Sequence, residues 1–342
     1  MKGFIYTIID KVTGKAKFPK TVEDAITLNN GKTFSQTYVA KDVEGLTYLG
    51  ERIFPNGHHF QMTELGKFRE YPASGALQGG DVYGDTFYQF YDGGGIMTID
   101  LATKTKTGYF VIPGITNVFD SFHFGAVSFS NEFENEGDTL PLVYATGGAI
   151  GNDWYVGVFN INGGAENAHL VRYFKCNNGV TDSICAFDFS TGHGWSFGYS
   201  YSTAYITHKQ TPYRVLEFDF PQTGTGDISE NIVFAEQAYL VPNLGNANVQ
   251  DATYRDGRVY VLAGGHYNYY APDGTDQVHI GSFCPLRKTF VSNVKAPTFE
   301  LPNNGGNAPV GESESIGIWG ESFIVGFIQN AYKDISHYKF DF

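Results

Sequence analysis

The chain has 342 residues, of which 29 Phe, 23 Tyr and 3 Trp make it 16% aromatic against 17% charged, with 42 Gly and 13 Pro. That much ring surface excludes a disordered chain, and glycine without a three-residue period excludes collagen. Lys plus Arg is 23 and Asp plus Glu is 36, a net charge of −13 with no basic stripe, which argues against nucleic acid as a partner, since duplex binding works by phosphate neutralisation.

The opening run Met1-Lys2-Gly3-Phe4-Ile5-Tyr6-Thr7-Ile8-Ile9 meets Asp10 before a secretory apolar region develops, so no signal peptide is expected. No apolar run approaches the roughly 18 residues of a spanning helix, and no membrane insertion is expected. Residues 1–45 hold a cluster of Lys and read as a short extended N-terminal arm. Asn30-Gly31 is a turn signal within it, and Thr21 to Ala25 suit one capped helical turn. This arm is too short to fold alone.

From residue 46 to 342 the chain reads as short β runs between Gly, Asn and Pro, which predicts an all-β domain. One spacing recurs: a polar residue, a turn glycine six positions later and an aromatic nine positions later. Gln78, Gly84 and Phe87 show it, as do Asp251, Gly257 and Tyr260, and again Glu314, Gly320 and Phe323. Each hairpin is followed by a further β run, at Gly95–Asp100, Val278–Phe283 and His337–Phe342. Less regular units at His123–Phe129 and Gly194–Phe197 fill the gap. Inner strands are thus expected near residues 78, 123, 193, 251 and 314, giving a five-bladed β-propeller; a six-bladed ring and a β-sandwich are the alternatives. The last unit ends at Phe342 without a fourth strand, so a segment near residues 59–63 or 67–71 is expected to close its bare edge.

In a propeller the inner strands line the axis, so Gln78, His123, Asp251 and Glu314, with His193 a poorer match, are expected to converge on one channel mouth. Trp195, Trp319, Tyr83 and Tyr267 would rim it. Aromatic faces beside carboxylates and amides suit a sugar ligand. The structural alternative is that each polar residue holds a neighbouring blade or a channel water. Asp251 and Glu314 are also the pair that would do the acid and base work of glycoside hydrolysis, although a further acidic group is missing unless Asp81 swings in. The nine His form no ligand pattern, His58-His59 included, and Asp273-Gly274-Thr275-Asp276 lacks the later positions of a calcium loop. No metal, no cofactor and no nucleophile motif is expected. The three Cys, Cys176, Cys185 and Cys284, cannot all pair within the chain and read as free thiols of a protein made in a reducing cytoplasm.

Three stretches, Gln250–Leu262, Glu312–Trp319 and Glu136–Tyr144, resemble the five-bladed propeller domain of tailed-phage receptor-binding proteins and TagC-like proteins. The resemblance covers about residues 75 to 342. Separately, Phe18-Pro19-Lys20-Thr21 through Leu28-Asn29-Asn30-Gly31-Lys32-Thr33 resembles segments near the N-termini of phage tail-fibre proteins. The two together imply a virion component of the phage tail, made in the host cytoplasm. Its arm would dock to other tail or virion proteins while the propeller binds a host surface glycan, as a homo-oligomer, a trimer by analogy. The resemblance implies binding rather than catalysis; a glycan depolymerase and a purely structural virion protein are the alternatives.

Overall fold

The structure is a computed structural model and describes residues 46–49, 52–55, 61–67, 75–177, 181–199, 212–241, 244, 248–264, 279–295, 311–329 and 334–341. The chain divides into two compact units, Met1–His58 and His59–Phe342. In the first, β1 (Leu46–Leu49) and β2 (Arg52–Pro55) form an antiparallel hairpin with Leu49 opposite Arg52. The turn at Asn30-Gly31, the helical turn at 21–25, His58-His59, Tyr267 and residues 273–276 lie outside the described residues.

The second unit is a β-propeller. Its strands are β3 (Gln61–Lys67), β4 (Leu77–Tyr83), β5 (Thr86–Tyr91), β6 (Gly95–Asp100) and β7 (Thr105–Val111). There follow β8 (Ser121–Phe122), β9 (Val127–Phe129), β10 (Val143–Ile150), β11 (Asp153–Asn160) and β12 (His169–Lys175). Next come β13 (Thr181–Asp188), β14 (His193–Tyr199), β15 (Tyr213–Asp219), β16 (Gly226–Asp227), β17 (Val233–Phe234) and β18 (Tyr239–Val241). The last are β19 (Asn248–Arg255), β20 (Arg258–Gly264), β21 (His279–Cys284), β22 (Thr289–Lys295), β23 (Gly311–Trp319), β24 (Ser322–Gln329) and β25 (Asp334–Asp341).

Among the described residues these strands make five sheets of four or more strands. Blade 1 is β4-β5-β6-β7. Blade 2 runs β10-β11-β12 outward from an interrupted inner strand, β8 and β9, and takes β16 onto its outer edge in parallel. Blade 3 is β13-β14-β15 with β17 and β18, and blade 4 is β19-β20-β21-β22. Blade 5 is β23-β24-β25, and its fourth strand is β3, antiparallel to β25 with Lys339 opposite Thr63. A strand from the start of the unit therefore pairs the edge of the last blade, as its missing fourth strand predicted. Neighbouring blades touch in ring order, β4 with β9, β10 with β13, β13 with β19, β19 with β23 and β23 with β4.

The ring holds because each blade buries its faces only against the next. An aromatic pair sits at each of the five junctions. Tyr88 meets Phe129 at 4.9 Å, Tyr144 meets Phe187 at 5.3 Å, and Phe197 meets Phe283 at 5.3 Å. Tyr260 meets Phe323 at 5.1 Å, and Phe87 meets the ring of His337 at 5.4 Å. Such pairs add about 0.5–1.5 kcal/mol each beyond the area they bury, so part of the aromatic content goes to holding neighbouring blades together. Gly84, Gly257 and Gly320, which set the repeat spacing, all turn their hairpins with φ of 60–80°, a conformation that favours glycine.

Two expectations about inner strands change. His193 opens β14, the second strand of blade 3, and the inner strand there is β13, whose sequence begins with the polar run Thr181-Asp182-Ser183. In blade 2 the inner strand breaks after Phe122, where Phe124 takes φ of +52° and its carbonyl accepts the Gly79 amide at 2.8 Å.

Candidate functional site

The polar repeat residues sit at bulges. Register shifts fall between Leu77 and Gly80 in β4, between Val249 and Asp251 in β19, and between Ser313 and Ser315 in β23. A bulge re-aims the side chain beside it, and it brings Gln78, Asp251 and Glu314 to inner strands as the spacing predicts. Their side chains are buried there: Gln78 and Glu314 are 6% exposed and Asp251 is 0% exposed.

Asp251 is a connector. Its Oδ1 accepts the Ala252 amide at 2.7 Å, and its Oδ2 accepts the amides of Gly80 at 3.1 Å and Ile316 at 2.9 Å. One carboxyl group thus joins the inner strands of blades 4, 1 and 5. Burial pushes its pKa well above the ordinary carboxylate range, with the nearby Asp81 adding to the rise and the three amides opposing it. Asp81 repeats the device between blades 1 and 2, accepting the Val82 amide at 2.8 Å and the Phe129 amide at 2.9 Å. Desolvation pushes its carboxyl up to about 7 although part of the residue still meets solvent.

Gln89 on β5 is a second hub that the spacing does not mark. Its Nε2 donates to the carbonyls of Gln78 at 2.5 Å, Gly79 at 3.1 Å and Phe90 at 3.1 Å. Its Oε1 accepts from Ser315 Oγ at 2.8 Å and lies 2.9 Å from His337 Nε2, which places the imidazole proton on that nitrogen. Burial pushes His337 down to about 3. Gly326 makes room for the cluster, since a Cβ there would fall on Ser315, Gln89 and His337. A further buried centre lies in blade 2, where the fully buried Arg172 takes both oxygens of Glu132 and donates to the Tyr144 hydroxyl at 2.6 Å.

The other expected site residues are dispersed. The His123 side chain is 58% exposed and pairs with Asp92 at 2.6 Å. His193 pairs with Asp219 at 2.6 Å, beside Glu217, whose carboxylate accepts the Tyr239 hydroxyl at 3.0 Å. Trp195 is buried and stacks on Tyr254 at 5.4 Å. Trp319 is half-buried; its Nε1 donates to Asp85 at 2.9 Å, and the Lys339 ammonium lies 5.5 Å from its ring centre. Tyr83 packs on Phe129 at 5.3 Å. Trp319 and Tyr83 stand five residues along their strands from Glu314 and Gln78, about 16 Å at 3.3 Å per residue. They therefore lie toward the hairpin end of the inner strands and do not rim the polar starts. Among the described residues no group of three His, Cys, Asp or Glu has the arrangement of a metal site, and no helix is long and apolar enough to cross a membrane.

No family model matches the chain, and no curated protein matches it. Solved structures with a similar fold include glutaminyl cyclase from Myxococcus xanthus, at 8% identity over 83% of this chain and 99% of that one, with a TM-score of 0.41. The GH43 endo-arabinanase from Bacillus licheniformis is similar at 13% identity over 80% of this chain and 96% of that one, with a TM-score of 0.42. Raptor from Chaetomium thermophilum matches 90% of this chain and 30% of its own length at 9% identity and a TM-score of 0.41.

Proposed function

We propose that this chain is a non-catalytic recognition protein of a phage tail, a virion component that attaches to a host surface glycan through one face of its propeller. Residues 1–45 serve as the arm that docks other tail proteins, and the assembly is a homo-oligomer. The observation that carries the binding half of this reading is Asp251. The carboxylate that the repeat spacing marks out for acid or base chemistry, it has no exposed surface, and both its oxygens are occupied by backbone amides of three blades. A proton-transfer group must reach its substrate, and this one reaches only the scaffold. The axis then acts as a rigid hub, and contact with a glycan falls to outward side chains such as Trp319, half-buried at the hairpin end.

The test is adhesion of the recombinant full chain to susceptible cells and to their purified capsular polysaccharide, with the polymer's length followed in parallel. Binding without shortening, weakened by Trp319→Ala, is the expected result. Release of reducing ends that is lost in Asp251→Asn or Glu314→Gln would select a depolymerase instead. A particle map with both propeller faces covered by other subunits would select a structural role.

A further inference from the structure

Between β9 and β10 the chain runs through residues 130–142 as a loop that reaches the far strands of its own blade. Glu132 pairs with Arg172 of β12, and Thr139 and Leu140 each donate an amide to Asn162 Oδ1 at 2.9 Å. Between these anchors Glu134 Oε2 accepts from Asn160 Nδ2 at 2.7 Å, and the same nitrogen donates to Asp138 Oδ2 at 3.1 Å. The other partner of Glu134 is His169, which opens β12. Its Nε2 lies 3.1 Å from Glu134 Oε2 and 3.2 Å from Oε1, and its Nδ1 lies 2.7 Å from the Asn167 carbonyl oxygen. A carbonyl and a carboxylate only accept, so each ring nitrogen must carry a proton, and the geometry is that of an imidazolium. Among the described residues the charged groups that act on the ring are Glu134 and Asp138, both on the loop, while Asn160, opposite it on β11, and Asn167 are neutral.

We propose that His169 is a proton-operated latch, which as imidazolium fastens the loop to the start of β12 and on losing its proton lets go of Glu134. The neutral ring keeps one N–H. With that proton on Nδ1 the bond to Asn167 survives, and the lone pair of Nε2 then faces the carboxylate, which is left with Asn160 alone. The Asn167 carbonyl, and after it Glu134 and Asp138, raise the ring above its ordinary 6.5, against a desolvation that lowers it. The latch is therefore complete below 6.5 and is lost as pH rises through the raised value. Beside Glu134 stands Phe133, 47% exposed, so the latch sets how firmly an apolar side chain is displayed at the surface.

The test follows the ring nitrogens of His169 in the full chain by long-range proton–nitrogen NMR between about pH 5 and about pH 9. Both nitrogens should be protonated at the acid end, the midpoint should lie above 6.5, and Glu134→Gln should lower it. Amide hydrogen exchange, corrected for the intrinsic effect of pH, reads the loop in parallel. The amides of Asn135, Asp138, Thr139 and Leu140 should lose about two- to fivefold in protection as the ring deprotonates, the scale of a part-exposed ion pair. In His169→Gln that step should vanish, with the β11 amides unchanged in both proteins. A ring that titrates at or below 6.5 would overturn the proposal. So would loop protection that changes with pH alike in wild type and His169→Gln. Neither measurement depends on whether the propeller binds a glycan.

Discussion

The Oδ2 atom of Asp251 lies 3.1 Å from the amide nitrogen of Gly80, joining β19 to β4, whose blades are not neighbours in the ring. Blade 5 stands between them and is held by the same atom through Ile316 at 2.9 Å. A single side chain therefore ties strands across the axis as well as around it. Buried donors left unpaired cost roughly 1–3 kcal/mol each, so Asp251→Ala should lower unfolding stability by about 3 kcal/mol or more. Asp251→Asn, which keeps one acceptor oxygen, should lose less. Urea denaturation monitored by Trp fluorescence gives both values. Unchanged midpoints would remove Asp251 from the scaffold.

Asp81 makes the propeller sensitive to rising pH. Its carboxyl moves from 3.8 to about 7 on folding, chiefly by desolvation. Between those values the folded chain keeps a proton that the unfolded chain has released. Stability from this group is therefore present below 3.8 and lost as pH climbs through about 7. The difference in melting temperature between wild type and Asp81→Asn should change across that window, with the wild type losing ground toward alkaline pH. A constant difference would show that Asp81 does not titrate there.

How much of this was legible in the sequence follows from what each residue contacts. The glycines at 84, 257 and 320 are local signals: a hairpin needs a left-handed residue, and the spacing back to Gln78, Asp251 and Glu314 follows from strand length. The bare edge of the last blade could likewise be read, because a missing strand is a matter of counting. Burial could not be read. A polar residue at a strand start looks the same whether it faces water or receives amides from two other blades, and Asp251 bonds Gly80 across 171 positions of chain. Gln89 and His337 were missed for the same reason, their contact spanning 248 positions. Residue type alone points Trp195 and Trp319 to the axis mouth, whereas rise per residue puts Trp319 toward the far end of its strand.

His337 gives the opposite pH response. Burial lowers it from 6.5 to about 3, so the unfolded chain binds the proton between those values. Its contribution is complete above 6.5 and fades as pH falls toward about 3. The stability gap between wild type and His337→Gln should accordingly narrow on acidification. Melting curves of the pair between the same limits measure it, and a gap that widens toward acid would contradict the buried neutral imidazole. Because Asp81 and His337 act with opposite sign in overlapping windows, only paired variants separate them.

Ring closure rests on β3, which completes blade 5 by pairing with β25 from Lys67 opposite Ser336 to Gln61 opposite Asp341. Its Leu65 is 5% exposed and packs with Leu77, Tyr91, Ile324 and Ile328, so it joins blade 5 to blade 1. Leu65→Ala should destabilise the propeller by about 2–5 kcal/mol, the usual cost of emptying a buried leucine site. A truncation beginning at His59 keeps the strand and should melt as the full unit does. One beginning at Phe68 removes it, leaves β25 as an unpaired edge and should melt lower and associate, as bare edges do. Thermal melts and size-exclusion chromatography on the two truncations distinguish the outcomes. Equal melting of both would mean that the ring closes without β3, through the inner-strand contacts and the Asp251 connector alone.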